Sequence, residues 1–290
     1  MNNIKGEQNK EENLLLLYSQ KILYDKAKKI KYLTVGLALV CFLLGILSNL
    51  IRGYEVVFII LIFFITRISK YFQSNSDKFN ALAAATQELI DRRLFGFEIK
   101  NRHLDNYSIS ELLSVAKDLR EKYPNKYLIN INNTGTDTPN GVKDWYTNIS
   151  SSLQLNDAIL KCQKQNIYWD KLLTEFYRKI LMGLIFFIVI IFLILYWNKS
   201  VYSLLLGVIS FFSICEIIIN EFSMSSKFKS INNEINCIID TLDSLRNIDT
   251  NALKELQSKI YTRRKSCLNI PSFIHIINRV DIHSKYSRDN

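Results

Sequence analysis

Gln163, Asn166, Asp170 and Tyr177 recur at helical spacing, within about 60° of one another at roughly 100° per residue. Trp169 and Cys162 flank that stripe. Amides, a carboxylate and a phenol on one face can form a hydrogen-bonded network between packed helices, or line a site for a polar ligand or signal. No Gly-rich phosphate loop, paired metalloprotease histidines or nucleophile elbow accompanies them. His103, His275 and His283 are dispersed without ligand spacing. Cys41, Cys162, Cys215, Cys237 and Cys267 form no C-x-x-C pair, which predicts reduced thiols rather than a disulfide framework or a zinc site. These residues predict no enzyme, no metal and no cofactor. Tyr261, Arg263, Arg264 and Lys265 suit either a phosphate or, more simply, a solvated helix end facing anionic lipid, and no nucleic-acid partner is expected.

A second set of small and polar residues lies inside apolar runs. Thr34, Ala38, Cys41, Gly45 and Ser48 share a narrow helical face. Such a face lets helices approach closely, or lines a pore in an oligomer. Ser203, Ser210, Ser213 and Asn220 fall within about 100° on a later run, with Glu216 to one side. Glu216 reads either as a carboxylate reaching the interface or, if buried more deeply, as a functional position.

The elements that carry these faces are long apolar helices. A span needs about 20 apolar residues at 1.5 Å rise each. Residues 33–51, 54–70, 180–197 and 201–219 are the candidates, and 54–70 is the shortest, with Glu55, Arg67 and Lys70 at its ends. Hydrophobic residues make up 48% of the 290-residue chain, and with only 9 Gly and 3 Pro an all-α fold follows. The expected layout is an integral membrane protein with four transmembrane helices in two hairpins plus a helical cytoplasmic region. Its parts are an amphipathic arm (1–31), hairpin one (32–70), a helical segment (71–179), hairpin two (180–220) and a helical tail (221–290).

Charge gives the layout a direction. Arg52 and Lys199 are the basic residues of the two short loops, and the rest of the 37 Lys and Arg lie in the arm, the central segment with its flanking span ends, and the tail. Lys26, Lys28, Lys29, Lys31, Arg67, Lys70, Lys171, Arg178 and Lys179 crowd the membrane edge. The positive-inside rule then places both termini in the cytoplasm, and the same residues favour anionic headgroups of the lipid bilayer. On that side the periodicity predicts helices over 14–30, 79–95, 110–122, 155–179, 225–246 and 251–267, and a long loop over 127–144.

Several separated stretches resemble one family. Residues 84–97 (AATQELIDRRLFGF) match a helical Q-E-x-x-D stretch leading to an aromatic. Trp145-Tyr146, then Cys162-Gln163, Asn166, Trp169-Asp170 and Tyr177, match its W-Y … C-Q-x-x-N-x-x-W-D … Y pattern. Ile260-Tyr261, Arg263 and Pro271 resemble its I-Y-x-x-R … P ending, while Gly96-Phe97 stands where a Pro-Trp-like pair is expected. Together they resemble the SMODS-associated four-transmembrane family, pore-forming effectors of prokaryotic antiviral systems. The resemblance implies an effector that permeabilises the inner membrane in an abortive-infection response. A homo-oligomer is expected, released by a nucleotide second messenger or a regulatory protein. The competing expectation is a non-conducting membrane adaptor that docks cytoplasmic partners.

Overall fold

The computed structural model describes residues 2–51, 53–245, 247–266 and 270. Four helices dominate: α2 (Glu11–Leu50), α3 (Glu55–Phe95), α6 (Leu155–Tyr196) and α7 (Val201–Asp243), each 40 to 43 residues long. No proline interrupts any of them. The amphipathic helix expected to lead into the first span, and the 155–179 helix expected to run into the third, are each one element with the apolar stretch that follows, and α3 and α7 likewise join an apolar stretch to a polar one. Shorter elements are α1 (Ile4–Glu7), the hairpin β1 (His103–Leu104) and β2 (Tyr107–Ser108), α4 (Ile109–Lys122), α5 (Pro124–Asn132) and α8 (Thr250–Lys265). The two-residue strands pair His103 with Ser108 and Leu104 with Tyr107, a small addition to an otherwise helical chain.

Local chemistry sets the element ends. The Ser108 hydroxyl accepts from the Glu111 N–H at 3.1 Å and caps α4, two residues before the expected start. Pro124 does not break the helical region but opens α5, because a proline at the first helical position lacks only a donor that would go unused there. The expected loop over 127–144 thus begins as a helix. Gly96 closes α3 with φ +68°, where Phe97 N–H donates to Arg92 C=O at 2.8 Å and Gly96 N–H to Arg93 C=O.

The chain forms two compact units. Unit 1 draws on Met1–Lys26, Phe79–Lys171 and Ser230–Cys267. Its core joins Leu16, Leu17 and Ile22 of α2, Leu89 and Ile90 of α3, Leu112 of α4, Ile159 of α6, Ile235 of α7, and Leu253, Leu256 and Ile260 of α8. Each such side chain contributes about 1.5–3 kcal/mol by leaving water. The segment after α5 folds back on it: Val142 N–H donates to Asn130 C=O at 2.8 Å, and a Cβ on Gly141 would strike the Asn133 carbonyl. The N-terminal residues strap the following loop. Gln8 exchanges two hydrogen bonds with the Tyr146 backbone, and Asn9 pairs with Asp144.

Unit 2 comprises the described residues of Ala27–Lys78 and Leu172–Lys229. Among the described residues, two helical segments in or reaching into this unit are long and apolar enough to cross a membrane, Glu11–Ser48 and Thr174–Tyr196. Ser203–Ile209 and Ile214–Asp243, bent by 42°, meet the same requirement as a pair. The expected span over 54–70 is helical from Glu55 on α3 but is not among these segments. Its Arg67 and Lys70 interrupt the apolar run. Large apolar side chains stand exposed on all four helices, among them Leu43, Phe64, Phe186, Ile194 and Phe212. Phe211 fastens the inner side, 4.7 Å from Phe42 and 4.9 Å from Phe192 between ring centres.

Candidate functional site

In unit 1, Glu88 and Asp91 lie three residues apart on α3, so both carboxylates leave the same face. Glu88 is 0% and Asp91 1% exposed. Burying two anions costs several kcal/mol each unless they are compensated. The compensation comes from distant segments. Arg264 of α8 donates to Asp91 Oδ2 at 2.7 Å, and its Nη1 is 3.6 Å from Glu88 Oε2. The Gln257 amide donates to Glu88 Oε2 at 2.7 Å and Asp91 Oδ2 at 3.2 Å. Arg92 Nε donates to Glu88 Oε1 at 2.7 Å, and the Tyr146 hydroxyl to Asp91 Oδ1 at 2.6 Å.

α6 closes the network. Asn166 donates to the Tyr146 hydroxyl at 2.8 Å, and Gln163 donates to the Leu253 carbonyl and to Gln257 Oε1 at 3.0 and 3.1 Å. Arg263 donates to the Asn166 carbonyl at 2.9 Å and to Asn232 Oδ1 of α7 at 3.3 Å. At the far end of α8 the Tyr261 hydroxyl donates to Asp105 at 2.8 Å, where Lys265 also pairs. Trp145 is only partly buried against the core beside Tyr146. The side chains of Trp169 and Asp170 lie outside the described residues.

Electrostatics follow from this burial. Glu88 is pushed up to about 7 by burial and by Asp91, against the opposing pull of Arg264, Gln257 and Arg92. Burial, then the Asp91 charge, raises the Tyr146 phenol well above its ordinary value. The same two causes raise the Cys162 thiol, which disfavours the reactive thiolate. All four carboxylate oxygens of the pair accept hydrogen bonds from the protein's own donors, so the network ties α3, α6, α8 and the Tyr146 loop together. Gln163 Oε1 is buried and meets no donor among the described residues.

In unit 2, Thr34, Ala38, Cys41, Gly45 and Ser48 are all buried. Cys41 Sγ lies 3.9 Å from the Ile62 carbonyl and 3.9 Å from the Thr66 hydroxyl of α3, so the small-residue face of α2 packs on its neighbour. On α7, Ser203 bonds back to Ser200 near the start of the helix, and the side chains of Ser210 and Ser213 lie outside the described residues. Glu216 pairs with Lys70 at 3.2 Å, both partly exposed. Five residues further on, Glu221 is more enclosed. Its carboxylate meets Lys31 Nζ of α2 at 2.6 Å and accepts from the Tyr177 hydroxyl of α6 at 2.9 Å.

The SMODS-associating 4TM effector domain matches residues 2–289. The chain belongs to that family. No curated protein and no solved structure matches it. A membrane effector role fits this 4TM effector chain and its long apolar helices.

Within the 4TM effector fold, the separated family-like stretches become one object. Q-E-x-x-D supplies Glu88 and Asp91, W-Y supplies Tyr146, C-Q-x-x-N supplies Gln163 and Asn166, and the tail supplies the cations. One assignment shifts. The I-Y-x-x-R spacing from Ile260 counts to Arg264 rather than Arg263, and Arg264 is the residue on the carboxylate pair. The polar stripe on α6 also divides, since Gln163 and Asn166 serve unit 1 whereas Tyr177 binds Glu221 in unit 2. Gln257 and Glu221 carry no signal in the sequence, because neither stands out from a polar helical surface. At the Gly96-Phe97 departure, Gly96 makes the helix-ending turn, and Phe97 is buried 5.7 Å from Phe95, whose ring faces Tyr146 at 6.1 Å.

Proposed function

We propose that this chain is a pore-forming effector that permeabilises the inner membrane in a prokaryotic antiviral response of the abortive-infection type. The observation that carries the reading is the 4TM effector domain over residues 2–289. The apolar helices support it, and the charge distribution argues for four spans in two hairpins with both termini cytoplasmic. In this reading the working form is an oligomer, since the small-residue face of α2 is packed on α3 and is not free to line a lumen within one chain. The helical unit 1 receives the signal, a nucleotide second messenger or a regulatory protein, and favours the open state by binding it more tightly than the closed one. The role requires no catalytic step.

The test is inducible expression in bacteria loaded with a potential-sensitive dye, alongside conductance of the purified protein in planar bilayers. Loss of membrane potential and discrete conductance steps are expected on activation. Intact potential together with silent bilayers would sink the reading and favour the membrane-anchored adaptor.

A further inference from the structure

One enclosed polar cluster of unit 2 lies where the apolar stretches end. Lys31 stands two residues before Leu33, Tyr177 three before Ile180, and Glu221 two after Ile219. The Lys31 and Glu221 side chains are only 10% and 13% exposed, against 55% for Lys70 in the neighbouring pair with Glu216. Asp77 of α3 lies within electrostatic reach of both Lys31 and Glu221. One carboxylate, Glu221, thus joins α7 to α2 through an ion pair and to α6 through a hydroxyl, while Asp77 of α3 attracts Lys31 and repels Glu221.

A pair this enclosed is an inefficient way to hold helices together, because desolvating both charges consumes most of their attraction. It is an effective way to make one arrangement unique, since any displacement of α7 strips Glu221 of both partners. We propose that the Lys31–Glu221–Tyr177 layer is a lock that holds the ends of the apolar helices in the closed arrangement, and that its rupture accompanies opening. The lock rests on the pore reading for its consequence, but not for its existence.

The variants are Glu221→Gln, Lys31→Met, the charge-exchanged pair Lys31→Glu with Glu221→Lys, and Lys70→Gln as a control on the more exposed pair. Each full-length protein is reconstituted into phosphatidylethanolamine–phosphatidylglycerol vesicles holding a self-quenched dye. Amide hydrogen exchange is followed over 27–34 and 217–225 in the same samples. Untriggered dye release at least tenfold faster than wild type, with exchange raised at least tenfold in both segments, is expected for Glu221→Gln and Lys31→Met. The exchanged pair returns both readings toward wild type, and Lys70→Gln leaves them unchanged. Unaltered exchange in Glu221→Gln overturns the lock, as does failure of the exchanged pair to restore protection. Raised exchange without release, in a protein whose wild type also never conducts, leaves the lock standing and removes the pore reading instead.

Discussion

Arg264 reaches from α8 to Asp91 on α3, 173 positions away in the chain, with a 2.7 Å hydrogen bond that is almost wholly withdrawn from water. The pair determines how unit 1 responds to substitution. Removing one partner of a buried pair leaves the other charge uncompensated, which costs about 3–5 kcal/mol. Here two carboxylates would lose their shared cation. Arg264→Met is therefore expected to lower the thermal midpoint of the detergent-solubilised chain sharply, whereas Lys259→Met, at an exposed pair with Glu234, should leave it within experimental scatter.

Glu88 gives that stability a pH signature. Its folded-state value is raised to about 7 from the ordinary 4.5, so between those limits the folded unit holds a proton that the unfolded chain has lost. Stability from this group is fully present below about 4.5 and falls as pH rises through 7, by on the order of 3 kcal/mol in all. Denaturant midpoints followed by tryptophan fluorescence between pH 5 and 8 should decline with pH. In Glu88→Gln, which cannot ionise, that part of the slope should vanish.

Much of this architecture is legible in the residues, and the remainder is not for identifiable reasons. Apolar runs over 33–51 and 180–197 announce long helices, because no charge interrupts them. Pro124 misleads, since proline ends one helix and begins another with equal ease, and only the backbone around it decides which. Helical spacing places Gln163 and Asn166 on one face but cannot say that their partners come from Gln257 and Tyr146, because tertiary pairing leaves no local period. Lys31 is recognisable as a membrane-edge cation. Its pairing with Glu221 is not, because the two lie on helices far apart in sequence.

Thiol reactivity separates the cysteines by environment. Cys237 is exposed, while Cys41 and Cys162 are buried and the Cys162 thiol is held above its ordinary value. The thiolate is the reacting species, so both burial and that rise slow alkylation. With N-ethylmaleimide at pH 7.5 and peptide-level mass analysis, Cys237 should label at least a hundredfold faster than Cys162 in the folded protein. Denaturation should bring the two rates together.

The small-residue face of α2 makes the last prediction, because packing and lipid exposure ask opposite things of neighbouring positions. Ala38 is 3% exposed in the same face as Cys41, which touches the Ile62 carbonyl, whereas Leu43 is 55% exposed. Ala38→Leu forces extra methylenes into a filled contact, at a cost of about 1–3 kcal/mol. Leu43→Ala removes apolar atoms that meet only the surrounding medium and should change stability by less than about 0.5 kcal/mol. Thermal melting of both variants in the same detergent checks the pair. A stable Ala38→Leu protein beside a destabilised Leu43→Ala protein would reverse the assignment of inner and outer faces on α2.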